Sequence, residues 1–269
     1  MMITRRAFVR GVLATSAIAA AGSLYLDYET DTHELDVSVV PLSIGLNTPM
    51  RMVVLGDIHF DPLYEEAYIE SMVKKITDMQ ADLIVYTGDF VTHRVTRIND
   101  LASLLSHAGS RYGSFAAMGN HDHWAGLGTL MRTLDKNGIR ILCNHSFPLP
   151  TQEAWYLTGL DSFWAGNPNL SIFSRTSKDS RHIVAAHEPD SFPLLSDPRI
   201  KLQVSGHTHG GQVRIPTIGA LVLPKWGKNY QKGLFDQRES YLYVNRGVGT
   251  LFPHIRCNCR PEVTVFELT

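Results

Sequence analysis

Residues 201–212 read KLQVSGHTHGGQ: an apolar run, a glycine, then two histidines two apart before paired glycines. The run has the length and composition of a buried strand, and it stops where chemistry-bearing side chains begin. Four other stretches repeat the arrangement. RMVVLGDIH (51–59) ends in Asp57 and His59, ADLIVYTGD (81–89) in Asp89, GSFAAMGNHD (113–122) in Asn120, His121 and Asp122, and HIVAAH (182–187) in His187. Helical spacing follows the first three, at 65–79, 97–107 and 126–137; in the first of these, Tyr68, Met72, Ile76 and Met79 share a face. Further strands are expected at 139–142, 155–160, 212–215, 241–245 and 263–268. Strand–helix alternation followed by clustered strands predicts an α/β sandwich of mixed β-sheets flanked by helices. In open α/β sheets, functional groups gather at the carboxyl ends of strands, so one site can collect all five ends. Residues two apart in extended chain point the same way, roughly 6.5 Å apart. His207 and His209, like Asp57 and His59, can therefore face one site. Glycine beside such residues lets backbone pass close to a crowded centre.

The 269-residue chain is long enough for one full α/β domain with a sizeable core. Its 44% hydrophobic and 19% charged content is ordinary for a globular protein and argues against disorder. A formal net charge of −1 gives no reason to expect a nucleic-acid partner. Three cysteines, Cys143, Cys257 and Cys259, are neither a disulfide framework nor a zinc ribbon. Cys143 follows IRIL and reads as a core residue; Cys257 and Cys259 read as two residues on one face of a strand.

The N-terminus is set apart from the domain. TRRAFVRG precedes the apolar stretch VLATSAIAAAGSLYL, a basic region followed by a signal-like segment. Arg5 and Arg6, with Thr4 before and Phe8 after, resemble a twin-arginine export motif. Residues 1–26 are thus expected to be a twin-arginine-like signal or membrane anchor, 27–48 a linker, and 49–269 the folded domain. The protein would then be exported, periplasmic or membrane-associated.

The ordered set D-x-H, GD, GNHD, H and GHTH resembles the calcineurin-like metallophosphoesterases, over roughly residues 50–269. The likeness extends to a bacterial subgroup with N-terminal export or membrane segments, through Gly206 to Gln212, Arg246 to Gly249 and Arg260 to Val263. Some members of that subgroup hydrolyse UDP-2,3-diacylglucosamine in lipid A synthesis. The resemblance implies a dinuclear metal site. Asp57, His59 and His209 would hold one ion, Asn120, His187 and His207 the other, and Asp89 would bridge both. Taken singly, each of these residues has a plain reading as a cap or turn; together those readings need seven coincidences. Imidazole and carboxylate donors suit two divalent ions of the Mn, Fe or Zn type. Two dications against two carboxylates leave a centre of about +2 that attracts phosphate.

His121 adjoins a ligand without being one, and the resemblance makes it the general acid, with Asp122 as a candidate to orient it. His93, Asp161 and Arg256 are further candidates for substrate contact, Arg256 through a head-group phosphate. In the segment GVGTLFPHIR (247–256), Leu251 and Phe252 either reach toward lipid or pack under the last strand. The second motif reads GDFVTHR and lacks the Asp-Arg pair of the protein phosphatases in this superfamily, which argues against phosphoprotein substrates. The expected activity is hydrolysis of a phosphodiester or pyrophosphate bond in a substrate that can be lipid-linked. A broad phosphomonoesterase or nucleotide phosphodiesterase is the alternative within enzymes, and a non-catalytic metal-dependent binding protein at the membrane the alternative outside them.

Overall fold

Two six-stranded sheets lie face to face in the computed structural model, which describes residues 32, 34–60, 66–237 and 240–269. The expected signal or anchor segment lies outside the described residues. The first sheet has the order β1-β14-β2-β3-β4-β5, from β1 (Asp36–Leu42), β14 (Glu262–Leu268), β2 (Met50–Leu55), β3 (Leu83–Tyr86), β4 (Ser114–Ala116) and β5 (Ile139–Ile141). The second has the order β12-β13-β9-β8-β7-β6, from β12 (Gly233–Gln237), β13 (Ser240–Val244), β9 (Ile200–Ser205), β8 (Arg181–Ala185), β7 (Trp155–Gly159) and β6 (His145–Pro148). Strands β2 to β5 pair in parallel, as do β7, β8, β9 and β13; β2 with β14, β6 with β7 and β12 with β13 are antiparallel. Both sheets are therefore mixed, as expected. A short hairpin of β10 (Arg214–Ile215) and β11 (Gly219–Ala220) stands apart.

The period-2 rule sorts the core into layers. On β2 and β3, Met52, Val54, Leu83 and Val85 point between the sheets, where they meet Leu157, Ile183, Leu202 and Val204. Their neighbours Val53, Leu55, Ile84 and Tyr86 point the other way, onto three helices. These are α1 (Glu66–Asp78), α2 (Ile98–Ser106) and α3 (Asn120–Lys136). On α1, Ile69, Met72, Val73 and Ile76 are buried, and on α2 Ile98, Leu101, Ala102 and Leu105, each set a stripe at helical spacing. Strands buried on both faces read as continuous apolar runs, which is why the central ones are visible in the sequence.

Three features differ from the sequence reading. Residues 36–42, read as linker, form β1, which pairs in parallel with β14 across its full length. It lies at the sheet edge with Val37 and Val39 exposed, so it lacks the apolar run that marks a buried strand. Helix α3 begins at Asn120, inside the stretch read as strand 113–120. The expected start at residue 126 is instead a break, where Gly126 has φ of 134°. Cys257 and Cys259 lie outside the strands, Cys257 in an isolated bridge to Val213, and all three cysteines are free thiols.

Candidate metal centre

The carboxyl ends of β2, β3, β8 and β9 and the turn after β4 converge on one point in the seam between the sheets. Asp57, His59, Asp89, Asn120, His187, His207 and His209 are all buried there. The ligand atoms of Asp57, His59 and His209 lie within 4.8 Å of one another; so do those of His59, Asp89 and His121, and those of Asp89, His187 and His207. Asp89 and His59 each belong to two of these groups. Six of the seven candidate ligands and His121 thus come together, and the seventh, Asn120, is buried beside His121 in the chain.

The local backbone is not the extended chain expected from residues two apart. Asp57, His59, Asp89, His207 and His209 have φ of 50°, 49°, 55°, 73° and 51°. For residues with a Cβ this left-handed region is sparsely populated and costs about 1–3 kcal/mol each, and such residues cluster at functional sites. The turns bring the donors inward within a few residues of each strand end. Close approach also fixes two glycines: a Cβ on Gly119 would lie 2.2 Å from Asp89 Oδ1, and one on Gly206 2.6 Å from Asp57 Oδ2.

Hydrogen bonds set the imidazole tautomers. His187 Nδ1 donates to Thr87 O at 2.8 Å, and His207 Nε2 donates to Lys225 O at 2.7 Å, since a carbonyl only accepts. With those protons assigned, His187 Nε2 and His207 Nδ1 face each other at 3.2 Å, as two lone pairs whenever both rings are neutral. Two facing lone pairs repel unless a cation or a proton lies between them. Asp89 Oδ2 is 3.1 Å from His187 Nε2 and 3.5 Å from His59 Nε2. His59 Nε2, both ring nitrogens of His209 and both amide atoms of Asn120 are buried without a hydrogen-bond partner. Buried polar atoms left orphaned are rare, and a bound ion is one of the recognised reasons for them. The donor set fits divalent ions, with carbonyls bonded to the far nitrogens of two histidines as metal-binding imidazoles require.

Electrostatics agree with that fit at three of the four candidate histidines; at the fourth, His187, the neighbouring carboxylates hold a proton where an ion would sit. Burial pulls His59 and His207 down to about 3 and His209 well below its ordinary value, so these imidazoles are neutral, as ligation requires. Burial pushes Asp57 up to about 7, though the His187 charge and the His207 N–H oppose it. Burial also disfavours the Asp89 carboxylate, but His187 and His59 outweigh it and hold Asp89 well below the usual range. His187 is the converse: burial opposes its charge, while Asp89 and then Asp57 raise it well above the ordinary histidine value.

His121 is placed differently. Its Nδ1 donates to Thr92 O at 2.8 Å, which leaves Nε2 as the free ring nitrogen, and its backbone N–H donates to Asp89 Oδ1 at 2.9 Å. Its ring lies edge-on to His59 with centroids 4.9 Å apart. The Thr92 carbonyl therefore orients His121, not Asp122. Asp122 is buried and accepts from the N–H groups of Asp89, Phe90 and Gly119, which caps α3 and pins the Asp89 loop. His93 is exposed, with its ring 6.1 Å from that of His121, at the mouth of the site.

Two residues read as substrate contacts are engaged elsewhere. The Arg256 guanidinium is fully buried and donates to the carbonyls of His209, Arg246, Gly247, Gly249 and Cys259. It supports the turns beneath the site and is not accessible to a head group. The Asp161 carboxylate accepts from Ser162 N–H, Asn167 N–H and His123 Nε2, so it organises its own loop. Unforeseen from sequence were Trp124 and Trp164, whose rings lie against His121 and His207, and buried Glu188, which holds the Trp164 loop. A cleft of 440 Å³ also opens beside His207 and His209, lined by Leu221, Val222, Leu251, Phe252 and Ile255. Phe252 is 87% exposed, so it does not pack under the last strand.

A two-sheet sandwich with buried imidazoles and carboxylates at the strand ends defines the class: a metal-dependent phosphoester hydrolase. The chain belongs to the calcineurin-like phosphoesterase family, whose model matches residues 50–211. It is 31% identical to the uncharacterized metallophosphoesterase YkuE of Bacillus subtilis (strain 168), over 99% of this chain and 98% of that one. It is 32% identical to the phosphodiesterase YaeI of Escherichia coli (strain K12), over 99% of this chain and all of the other.

Proposed function

We propose that the protein is a dinuclear-metal phosphodiesterase that cleaves a phosphodiester or pyrophosphate bond in a lipid-linked substrate. Asp57, His59 and His209 would hold one ion, Asn120, His187 and His207 the second, with Asp89 between them. The observation that carries this reading is the two donor groups Asp57/His59/His209 and Asp89/His187/His207, linked through the close approach of His59 and Asp89, with buried nitrogens of His59 and His209 and the Asn120 amide left without a hydrogen-bond partner. Such ions supply Lewis-acid charge to phosphoryl oxygens and a more acidic water. Around them the chain supplies orientation and a proton. Water oxygen would bond to phosphorus and release a proton to solvent as the bond to the leaving oxygen breaks, and Nε2 of protonated His121 would give that oxygen its proton. The Thr92 carbonyl holds the imidazole in the tautomer and orientation this needs.

The diester preference is drawn from the similarity to a relative named as a phosphodiesterase. The lipid-linked class is supported by the apolar cleft that begins at His207 and His209, and UDP-2,3-diacylglucosamine is a substrate of that kind. Export by a twin-arginine route, led by Arg5 and Arg6, belongs to the same reading; among the described residues no helix is long and apolar enough to cross a membrane. The test is turnover of bis(p-nitrophenyl) phosphate and of UDP-2,3-diacylglucosamine by manganese-reconstituted protein. Cleavage of both that is abolished by a chelator is expected. Metal binding with no turnover of either would make the protein a binding module, and turnover of monoesters alone would remove the diester assignment.

A further inference from the structure

Trp124 and Trp164 are 54% and 36% exposed, which leaves large apolar rings in water. Both stand at the mouth of the metal centre. The Trp124 ring meets His121 with centroids 5.0 Å apart, the Trp164 ring meets His207 at 5.7 Å, and the two indoles meet each other at 5.1 Å and 85°. The four rings form an arc from the proton-donating histidine to a candidate ligand. Anything bound at phosphorus with a group extending outward on this side passes along the indoles.

The indoles are held in place by buried polar groups. The N–H groups of Phe163 and Trp164 and the hydroxyl of Ser162 donate to the Glu188 carboxylate, which is fully buried. His123, next to Trp124, donates to Asp161 Oδ1 at 2.7 Å and so ties the helix turn bearing one indole to the loop bearing the other. Exposed rings fixed in advance lose little conformational freedom on binding. Aliphatic chains need no π-face, and the cleft on the far flank of His207 already offers aliphatic lining. Paired indoles at right angles present one face and one edge to a flat ring.

We propose that Trp124 and Trp164 form a stacking subsite for a nucleobase, so that the substrate is a nucleoside-linked phosphoester. The inference rests on the phosphoesterase reading of the adjoining centre and adds the ring that the substrate carries. Titration calorimetry of manganese-loaded full-length protein with uridine 5′-monophosphate and with ribose 5-phosphate isolates the base, because the two ligands share sugar and phosphate. The nucleotide is expected to bind about 5- to 150-fold more tightly, the range for one base stacked on an aromatic side chain. Trp124→Ala and Trp164→Ala each bring that ratio toward one while ribose 5-phosphate affinity stays within about twofold. Trp124→Phe and Trp164→Phe, which keep a π-face and the packing, retain most of it. Equal binding of the two ligands by the unsubstituted protein, or an unchanged ratio in both alanine variants, overturns the stacking subsite alone. Failure of the unsubstituted protein to bind either ligand overturns this inference, whereas the phosphoesterase reading falls only if diester turnover also fails.

Discussion

His187 and His207 face each other through nitrogens 3.2 Å apart, and each has its other nitrogen tied to a carbonyl, of Thr87 and Lys225. Those carbonyls would act as the second layer of a metal site, yet they are backbone atoms and leave no mark in the sequence. His121 is oriented in the same way by Thr92. His121→Ala should keep the bound metal and lose about 10²–10⁴ in rate, the range for a positioned acid. The loss should shrink for nitrophenyl esters, whose leaving oxygen needs little protonation. Steady-state rates across a series of leaving groups check this; an equal loss throughout would assign His121 to phosphoryl stabilisation.

At the scale of elements, the site consists of turns that end strands. Gly119 sits where any side chain would strike Asp89 Oδ1. Gly119→Ala should destabilise by about 1–3 kcal/mol, as overpacking does, and should lower metal affinity as Asp89 shifts; urea unfolding with and without manganese measures both. The His123–Asp161 pair joins helix to loop. Burial pushes the Asp161 carboxyl up, but hydrogen bonds from His123 and Asn167 N–H outweigh it and hold it at about 2, below the ordinary 3.8. The hydrogen bond to Asp161 raises His123 above the ordinary 6.5. The first shift stabilises the fold above pH 3.8 and is lost as pH falls toward 2; the second stabilises it below pH 6.5 and is lost as pH rises through the elevated histidine value. The fall in melting temperature caused by Asp161→Asn should therefore be largest between about pH 4 and 6.5 and smaller on either side. A deficit independent of pH would show that the pair is not charged in the fold.

The strand ends were legible because buried parallel strands are apolar runs that stop abruptly at polar ligands. The turns after them were not: HTH and DIH read as extended alternation, whereas the ligands adopt left-handed backbone. Arg256 and Asp161 carry charge in loops and so read as substrate contacts. Arg256 meets backbone carbonyls, and Asp161 meets backbone N–H groups and the side chain of His123; backbone groups look alike at every position, so no sequence pattern discloses them. Strand β1 escaped notice because one of its faces meets solvent.

In the whole molecule, the two sheets each contribute part of the centre: Asp57, His59, Asp89 and Asn120 follow strands of one, and His187, His207 and His209 follow strands of the other. Loss of packing between the sheets would separate the donors, so metal binding should stabilise the fold by linkage. The apolar cleft begins at His207 and His209. Val222 and Phe252 are 78% and 87% exposed, so Val222→Ser with Phe252→Ser should leave stability within about 0.5 kcal/mol. Turnover of soluble diesters should persist while turnover of an acylated substrate in vesicles falls; equal vesicle activity would exclude the cleft from lipid contact. Replacing Arg5 and Arg6 by lysine should retain the protein in the cytoplasm on cell fractionation, and unchanged placement would remove the twin-arginine route.

The central claim is that buried donors from both sheets hold two ions with Asp89 between them. Its most direct test is the number of metal ions per chain, by elemental mass spectrometry on purified protein reconstituted with manganese and freed of excess. Two ions per chain are expected, falling to one or none in Asp89→Asn. One ion or none in the unsubstituted protein, or two still bound in Asp89→Asn, would contradict it.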